Sequence, residues 1–216
     1  GVDVPESHAY HFSARGHTFA AQRFDRVGTS RRLYASAITL LQQEDGEGGS
    51  YLDLVQAIEH YAPVDEIDGQ LEQLYRRVLF SILVGNRDDH LRNHGFLRAA
   101  TGWRLTPAFD VNPNPDKDIH ALAIDAQDPA PSSETLRQTA AYYRLSAARA
   151  ERIGQEVRAA LSDWQRDARQ LGLVSSRQKK KPSRAGSDYS GSLDQLNSVG
   201  AALNGNGASS GPIQMI

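Results

Sequence analysis

The run at residues 85–96, GNRDDHLRNHGF, crowds Asp88, Asp89, His90, Asn93 and His94 into one short stretch directly after an apolar one. A further acidic residue, Asp110, follows in LTPAFDVN. An aspartate and an asparagine offer hard oxygen ligands of the kind magnesium takes together with waters and substrate phosphates. With Asn93 and Asp110 on a metal, Asp88 is left as a free carboxylate beside it, suited to orienting or deprotonating a hydroxyl. Those are the parts of a phosphoryl-transfer site. The same residue types are ordinary turn formers, so a plain polar loop is the competing account. Alternatively, His90, His94, Asp88 and Asp110 surround a metal-bound water, as in a nuclease or hydrolase. No His-x-Glu or Glu-x-Lys pair supports that version. A third reading is a non-catalytic helical scaffold that binds a DNA-bound partner.

The elements around the cluster bear on the choice. Two short runs around SARG, within residues 8–26, predict a hairpin. Leu33, Ala37, Leu40 and Leu41 stand at helical spacing, predicting a helix over 31–43. Ser50 is placed to cap a helix over 51–61. The next helix, 65–83, carries Leu71, Leu74, Val78 and Ile82 as a stripe and ends in VLFSILV, apolar nearly all round. Such a helix is buried on most sides, and the polar cluster sits at its exit. HGFLRAATGWRL predicts a second hairpin, which returns the chain toward its start and lets Asp110 face Asn93. IHALAID suggests a last strand; Ser132 or Ser133 caps a helix to about Arg144; Ser146 opens a longer one, with Trp164 and Leu171 in register and Gly172 as its stop. From Val174 onward Ser, Gly, Asn and Ala dominate, so residues 174–216 are expected to form a disordered tail, with Lys179, Lys180 and Lys181 solvated.

Composition narrows the classes. The 216 residues carry a net charge of −2, so no global field favours nucleic acid or membrane. With no cysteine there is no disulfide framework, thiolate metal site or cysteine nucleophile, which fits a reducing compartment such as the cytoplasm. No apolar run approaches the roughly 20 residues that cross a bilayer. Residue 1 is glycine and the sole methionine is Met215, so the sequence reads as the C-terminal part of a longer protein.

Asp88 and Asn93 match the D-x-x-x-x-N form of a kinase catalytic loop, and Asp110 follows a short hairpin as a kinase metal ligand does. Asp110 is preceded by Phe109 and not followed by glycine, which departs from the usual D-F-G. GNRDDHLRNHGFL followed by RLTPAFDV resembles the C-terminal kinase domain of HipA-type proteins, bacterial serine/threonine kinases that are often toxins of toxin–antitoxin pairs. The resemblance runs from AAQRFDR to about Leu173. It implies an α+β, mainly helical fold: the C-terminal lobe of a protein-kinase-like structure with a few short strands. Residues 1–26 would be the hinge or linker strand segment and 27–173 the lobe. It also implies Asp88 as catalytic base, and His90, Leu91, Arg92 and Asn93 against nucleotide and metal. Asp110 would be the second metal ligand, with Phe109 beside it in the nucleotide site. Gln22, Arg23 and Phe24 match a linker whose backbone meets the adenine, and Asp25 would reach the ribose. ATP and Mg2+ are the implied cofactors. The implied partners are a protein substrate and a HipB-like DNA-binding antitoxin, with only indirect or weak DNA contact and no membrane. The first lysine, Lys117, lies after the motifs, so the glycine-rich loop and phosphate-binding lysine are expected upstream of Gly1, and the isolated chain is expected to turn over little. Asp89 reads as a solvated side chain, His94 as the start of the hairpin, and Asp125 and Asp128 as turn residues.

Overall fold

The computed structural model describes residues 1–13, 16–44, 46–114, 116–164, 166 and 213–215. The first hairpin forms as expected: β1 (Ser7–Ser13) runs antiparallel to β2 (Gly16–Gln22), with Ala9 opposite Phe19. Two very short strands, β3 (Arg26–Val27) and β4 (Ser30–Arg31), make a second turn.

The helix expected over 31–43 is instead β5 (Tyr34–Ser36) followed by one turn of helix, α1 (Ala37–Leu40). Leu33, a member of the supposed stripe, is 63% exposed. Pairing with a distant strand outweighs the local spacing here, for Tyr34 lies opposite Leu97 and Ser36 opposite Gly95.

α2 (Tyr51–Tyr61) starts where its cap predicts. Ser50 Oγ accepts from the Asp53 amide, and Asp53 Oδ2 accepts from the Ser50 amide at 2.7 Å, so two orphan donors of the helix end are satisfied reciprocally. α3 (Ile67–Val84) follows after a 3-10 turn at Val64–Glu66 and forms the centre of the core, with Leu71, Leu74 and Val78 fully buried. Each such side chain contributes about 1.5–3 kcal/mol by leaving water. α3 also buries Arg76 and Arg77. Arg76 is held by Glu72 at 3.2 Å and Glu156 at 2.6 Å, and the Arg77 guanidinium donates to the Thr106 carbonyl. Burial pulls the Arg77 pKa down to about 10 against the opposing pull of Asp3 and Asp89.

α3 stops at Gly85, whose φ of 75° is the left-handed conformation that closes a helix and that glycine adopts without a Cβ clash. Beyond the polar loop, β6 (Gly95–Arg98) and β7 (Trp103–Leu105) form the second expected hairpin and join β5 in a three-stranded antiparallel sheet. IHALAID forms no strand; Ala123 makes only a single parallel bridge with Ser50. α4 (Ser133–Gln138), capped by Ser132, gives way to a 3-10 turn over Ala140–Tyr143 instead of continuing to Arg144. α5 (Ala147–Ser162), capped by Ser146, lays Ile153, Val157 and Leu161 against the core. Leu171, Gly172 and almost all of the expected tail lie outside the described residues; within the latter, only β8 (Ile213–Met215) is described, paired antiparallel with β2. The architecture is thus a helical core with small sheets, and among the described residues no helix is long and apolar enough to cross a membrane.

Candidate functional site

The left-handed turn at Gly85 throws the chain off the end of α3, and Asn86 fastens it there. The Asn86 amide donates to the Ser81 carbonyl at 2.9 Å and its Nδ2 to Ser81 Oγ at 3.3 Å. Asp88 and Asp89 then diverge. Asp88 faces outward with 52% of its side chain exposed, and its carboxylate forms an ion pair with Lys117. Asp89 turns inward and is buried, contrary to the expectation that it is solvated. Leu91–Asn93 form a 3-10 turn, with Leu91 plugged into the core as its anchor.

This turn closes the loop on itself. The Asn93 amide donates to the His90 carbonyl at 2.8 Å, and Asn93 Nδ2 donates to the Asp88 carbonyl at 3.4 Å. Asp88 and Asn93 are therefore brought together, and the engaged Nδ2 leaves the Asn93 carbonyl oxygen as the atom that could meet a metal. His90 is half-buried and Arg92 exposed. Because the Leu91 side chain is in the core, only its backbone is available to a nucleotide.

Asp110 lies on a loop whose two ends are tied to either side of that turn. The Thr106 amide donates to the Gly95 carbonyl and the Asn114 amide to the Gly85 carbonyl, both at 2.9 Å. Asp110 itself has φ of 53°. Asp is among the residues that tolerate this region, at a cost of about 1–2 kcal/mol. Its Oδ1 accepts from Asn112 Nδ2 at 2.7 Å. Phe109 packs against Phe24, ring centroids 5.6 Å apart, so the segment at residues 22–25 reaches the same loop. Asp25 there is clasped by Arg23 at 2.6 Å and Arg26 at 2.7 Å, and the hydrogen bond from Arg23 above all holds its carboxyl below the usual range.

Beneath the loop lies a polar network absent from the sequence reading. Asp89 Oδ2 accepts from the Tyr51 hydroxyl at 2.8 Å and from Ser81 Oγ at 3.3 Å. His94 Nε2 stands 3.1 Å from Oδ1, off the line of a straight hydrogen bond. Burial works to raise the Asp89 pKa, but the nearby His94 and the two hydroxyl donors outweigh it and the carboxyl stays below its ordinary value. Tyr51 is driven well up, first by burial and then by Asp89. The rings of His94 and His120 both meet Tyr51 edge-on. His120 is 3% exposed and neither ring nitrogen has a hydrogen-bond partner; burial pulls its pKa down to about 4, with Arg87 adding to the drop and Asp89 opposing it. Nothing in the sequence says that Asp89, and not Asp88, would meet Tyr51 and Ser81.

With His94 committed inward, the ligand set of the hydrolase reading is not assembled. Among the described residues no group of three or more His, Asp or Glu side chains is placed to hold a metal. The pair Asn93 and Asp110, one amide and one carboxylate, suits magnesium that draws its remaining oxygens from water and phosphates. Asp125 behaves as a turn residue, its Oδ1 accepting from the amides of Gln127 and Asp128.

The family model of the HipA-like C-terminal domain matches residues 1–164. No curated protein matches this chain. Among solved structures, a chain of the Shewanella oneidensis MR-1 toxin–antitoxin complex of HipA, HipB and operator DNA superposes with a TM-score of 0.64 at 18% identity, over 94% of this chain and 50% of that one. The chain thus spans half the length of that neighbour, and at this identity the likeness is one of fold.

Proposed function

The chain belongs to the HipA-like C-terminal domain family, and from that premise we propose that it is the larger lobe of a serine/threonine protein kinase that uses ATP and magnesium. The observation that carries this reading is the closure of Asp88 and Asn93 into one turn, flanked on both sides by the anchors of the Asp110 loop.

In this reading the Asp88 carboxylate takes the proton of a substrate serine or threonine hydroxyl as its oxygen attacks the γ-phosphorus. The Asn93 carbonyl oxygen and the Asp110 carboxylate hold magnesium, which when bound neutralises charge on the phosphates. The backbone at Gln22, Arg23 and Phe24 receives the adenine, the Phe24–Phe109 contact holding that segment against the Asp110 loop. Asp25 reaches the ribose only by sharing its carboxylate with Arg23 and Arg26. His90, Arg92 and the Leu91 backbone border the nucleotide. Such a kinase also needs a glycine-rich loop and a phosphate-binding lysine. The Shewanella assembly suggests a HipB-like DNA-binding antitoxin as partner, with DNA contact indirect. Dependence on ATP and the absence of cysteine fit a cytoplasmic protein.

Radiolabelled phosphate transfer from ATP by the full-length protein is the direct assay. Asp110→Asn removes one anionic oxygen beside the phosphates and is expected to weaken magnesium–nucleotide binding on the order of 10- to 100-fold. An unchanged magnesium dependence in that variant would remove Asp110 from the site. Failure of the full-length protein to bind Mg-ATP at all would favour a non-catalytic scaffold.

A further inference from the structure

Lys117 is the only lysine among the described residues; Lys179, Lys180 and Lys181 make up the rest of the chain's lysines. Its ammonium sits on the Asp88 carboxylate. Hydrogen bonds to backbone carbonyls bring its loop beside Asp88. The Arg87 guanidinium donates to the Lys117 carbonyl, the Ala121 amide donates to the Arg87 carbonyl at 3.0 Å, and the Asn114 amide to the Gly85 carbonyl at 2.9 Å. The stretch after Asp110 is thereby sewn to the stretch before Asp88, and its one cation of variable reach faces the candidate base.

We propose that Lys117 is a catalytic cation for phosphoryl transfer, its ammonium moving from the Asp88 carboxylate onto a γ-phosphoryl oxygen when ATP binds. The inference rests on the kinase reading given above. In the step, the substrate hydroxyl oxygen bonds to the γ-phosphorus while the bond from phosphorus to the β–γ bridging oxygen breaks. ADP leaves with that electron pair, and the hydroxyl proton passes to Asp88. The attacking hydroxyl must lie within hydrogen-bond reach of Asp88, so the phosphoryl oxygens come within a few ångströms of where Lys117 already is. Transfer of the ammonium to phosphate also uncovers the carboxylate for the proton.

The alternative, that Lys117 merely masks Asp88, is limited by magnitude. The two side chains are 45% and 52% exposed. Ion pairs so exposed hold weakly, enough to suppress a reaction by no more than about 5-fold. A lysine on a phosphoryl group in a site closed by nucleotide does more, because its partner carries the charge that develops during transfer.

Calorimetric titration of the full-length protein with Mg-ATP and with Mg-ADP tests the assignment, since only ATP carries the γ-phosphoryl group. Lys117→Ala is expected to weaken Mg-ATP about 10-fold or more and to leave Mg-ADP within about 2-fold. Lys117→Arg, which keeps the charge, is expected to restore most of the difference. In transfer assays Lys117→Ala lowers kcat. An unchanged ratio of ATP to ADP affinity, or equal losses for both nucleotides, overturns the role of Lys117 while leaving the kinase reading intact. Faster transfer by Lys117→Ala overturns it in favour of masking. A wild-type protein that binds neither nucleotide overturns the kinase reading and this inference with it. Thermal unfolding of each variant separates these outcomes from misfolding.

Discussion

Asp88 and Asp89 are adjacent, identical in chemistry, and treated in opposite ways by the fold. The Asp88 side chain is 52% exposed and touches a lysine on a surface loop. That of Asp89 is 6% exposed and receives Tyr51, Ser81 and the approach of His94. One carboxylate is left accessible and the other is spent on holding the loop. The difference shows how the protein fixes a mobile kind of segment: the buried neighbour, with Leu91 three residues after Asp88, grips the core from below so that the exposed neighbour keeps a defined position above it.

The comparison fails most visibly if Asp88 proves structural. Asp88→Asn in the full-length protein is expected to reduce phosphate transfer about 100-fold or more, since an amide of similar size cannot take the hydroxyl proton. Its unfolding midpoint should stay within about 2 °C of wild type, because the lost pair is exposed. Retained transfer would move the base elsewhere.

Asp89→Ala tests the other half. Removing the carboxylate leaves the Tyr51 hydroxyl, Ser81 and His94 facing a cavity, and urea unfolding is expected to register a loss of about 3–5 kcal/mol. A loss below about 1 kcal/mol would mean that the network does not hold the loop.

A smaller effect should appear on acidification. His120 has a folded pKa of about 4 against 6.5 when free, so the unfolded chain binds the extra proton first. Its contribution is fully present above about 6.5 and is lost as pH falls through about 4, amounting to at most about 3 kcal/mol. Replacing it, as in His120→Phe, should flatten stability across that window; an unaltered slope between pH 6.5 and 4 would show that the ring is hydrated. Smallest of all is the stability effect of Lys117→Ala, expected within about 0.5 kcal/mol and insensitive to salt at 0.5 M, where surface pairs are already screened. A larger loss would make Lys117 a structural residue.

Much of the scaffold was legible in the sequence. The caps at Ser50, Ser132 and Ser146, the α3 stripe and both hairpins follow from local chemistry, and so does the spacing of Asp88 and Asn93. What escaped depends on distant partners. Residues 34–36 became a strand because β6 pairs with them, and IHALAID failed to become one because it meets Ser50 at a single bridge. Arg76 and Arg77 look like surface residues until Glu72, Glu156 and the Thr106 carbonyl are placed around them. Lys117 had no visible link to Asp88, 29 positions earlier, since the hydrogen bonds that join their loops involve backbone atoms common to every residue.

Those cross-loop bonds give the stretch after Asp110 a property that its irregular backbone would not suggest. The amides of Asn114 and Ala121 are closed off by the carbonyls of Gly85 and Arg87, although neither lies in a helix or strand. In deuterated solvent their protons exchange only when the two stretches part, whether or not α3 unfolds. Among the bonded amides of this stretch, these two alone close onto Gly85 and Arg87, so their rates measure how often the clasp beside Asp88 lets go.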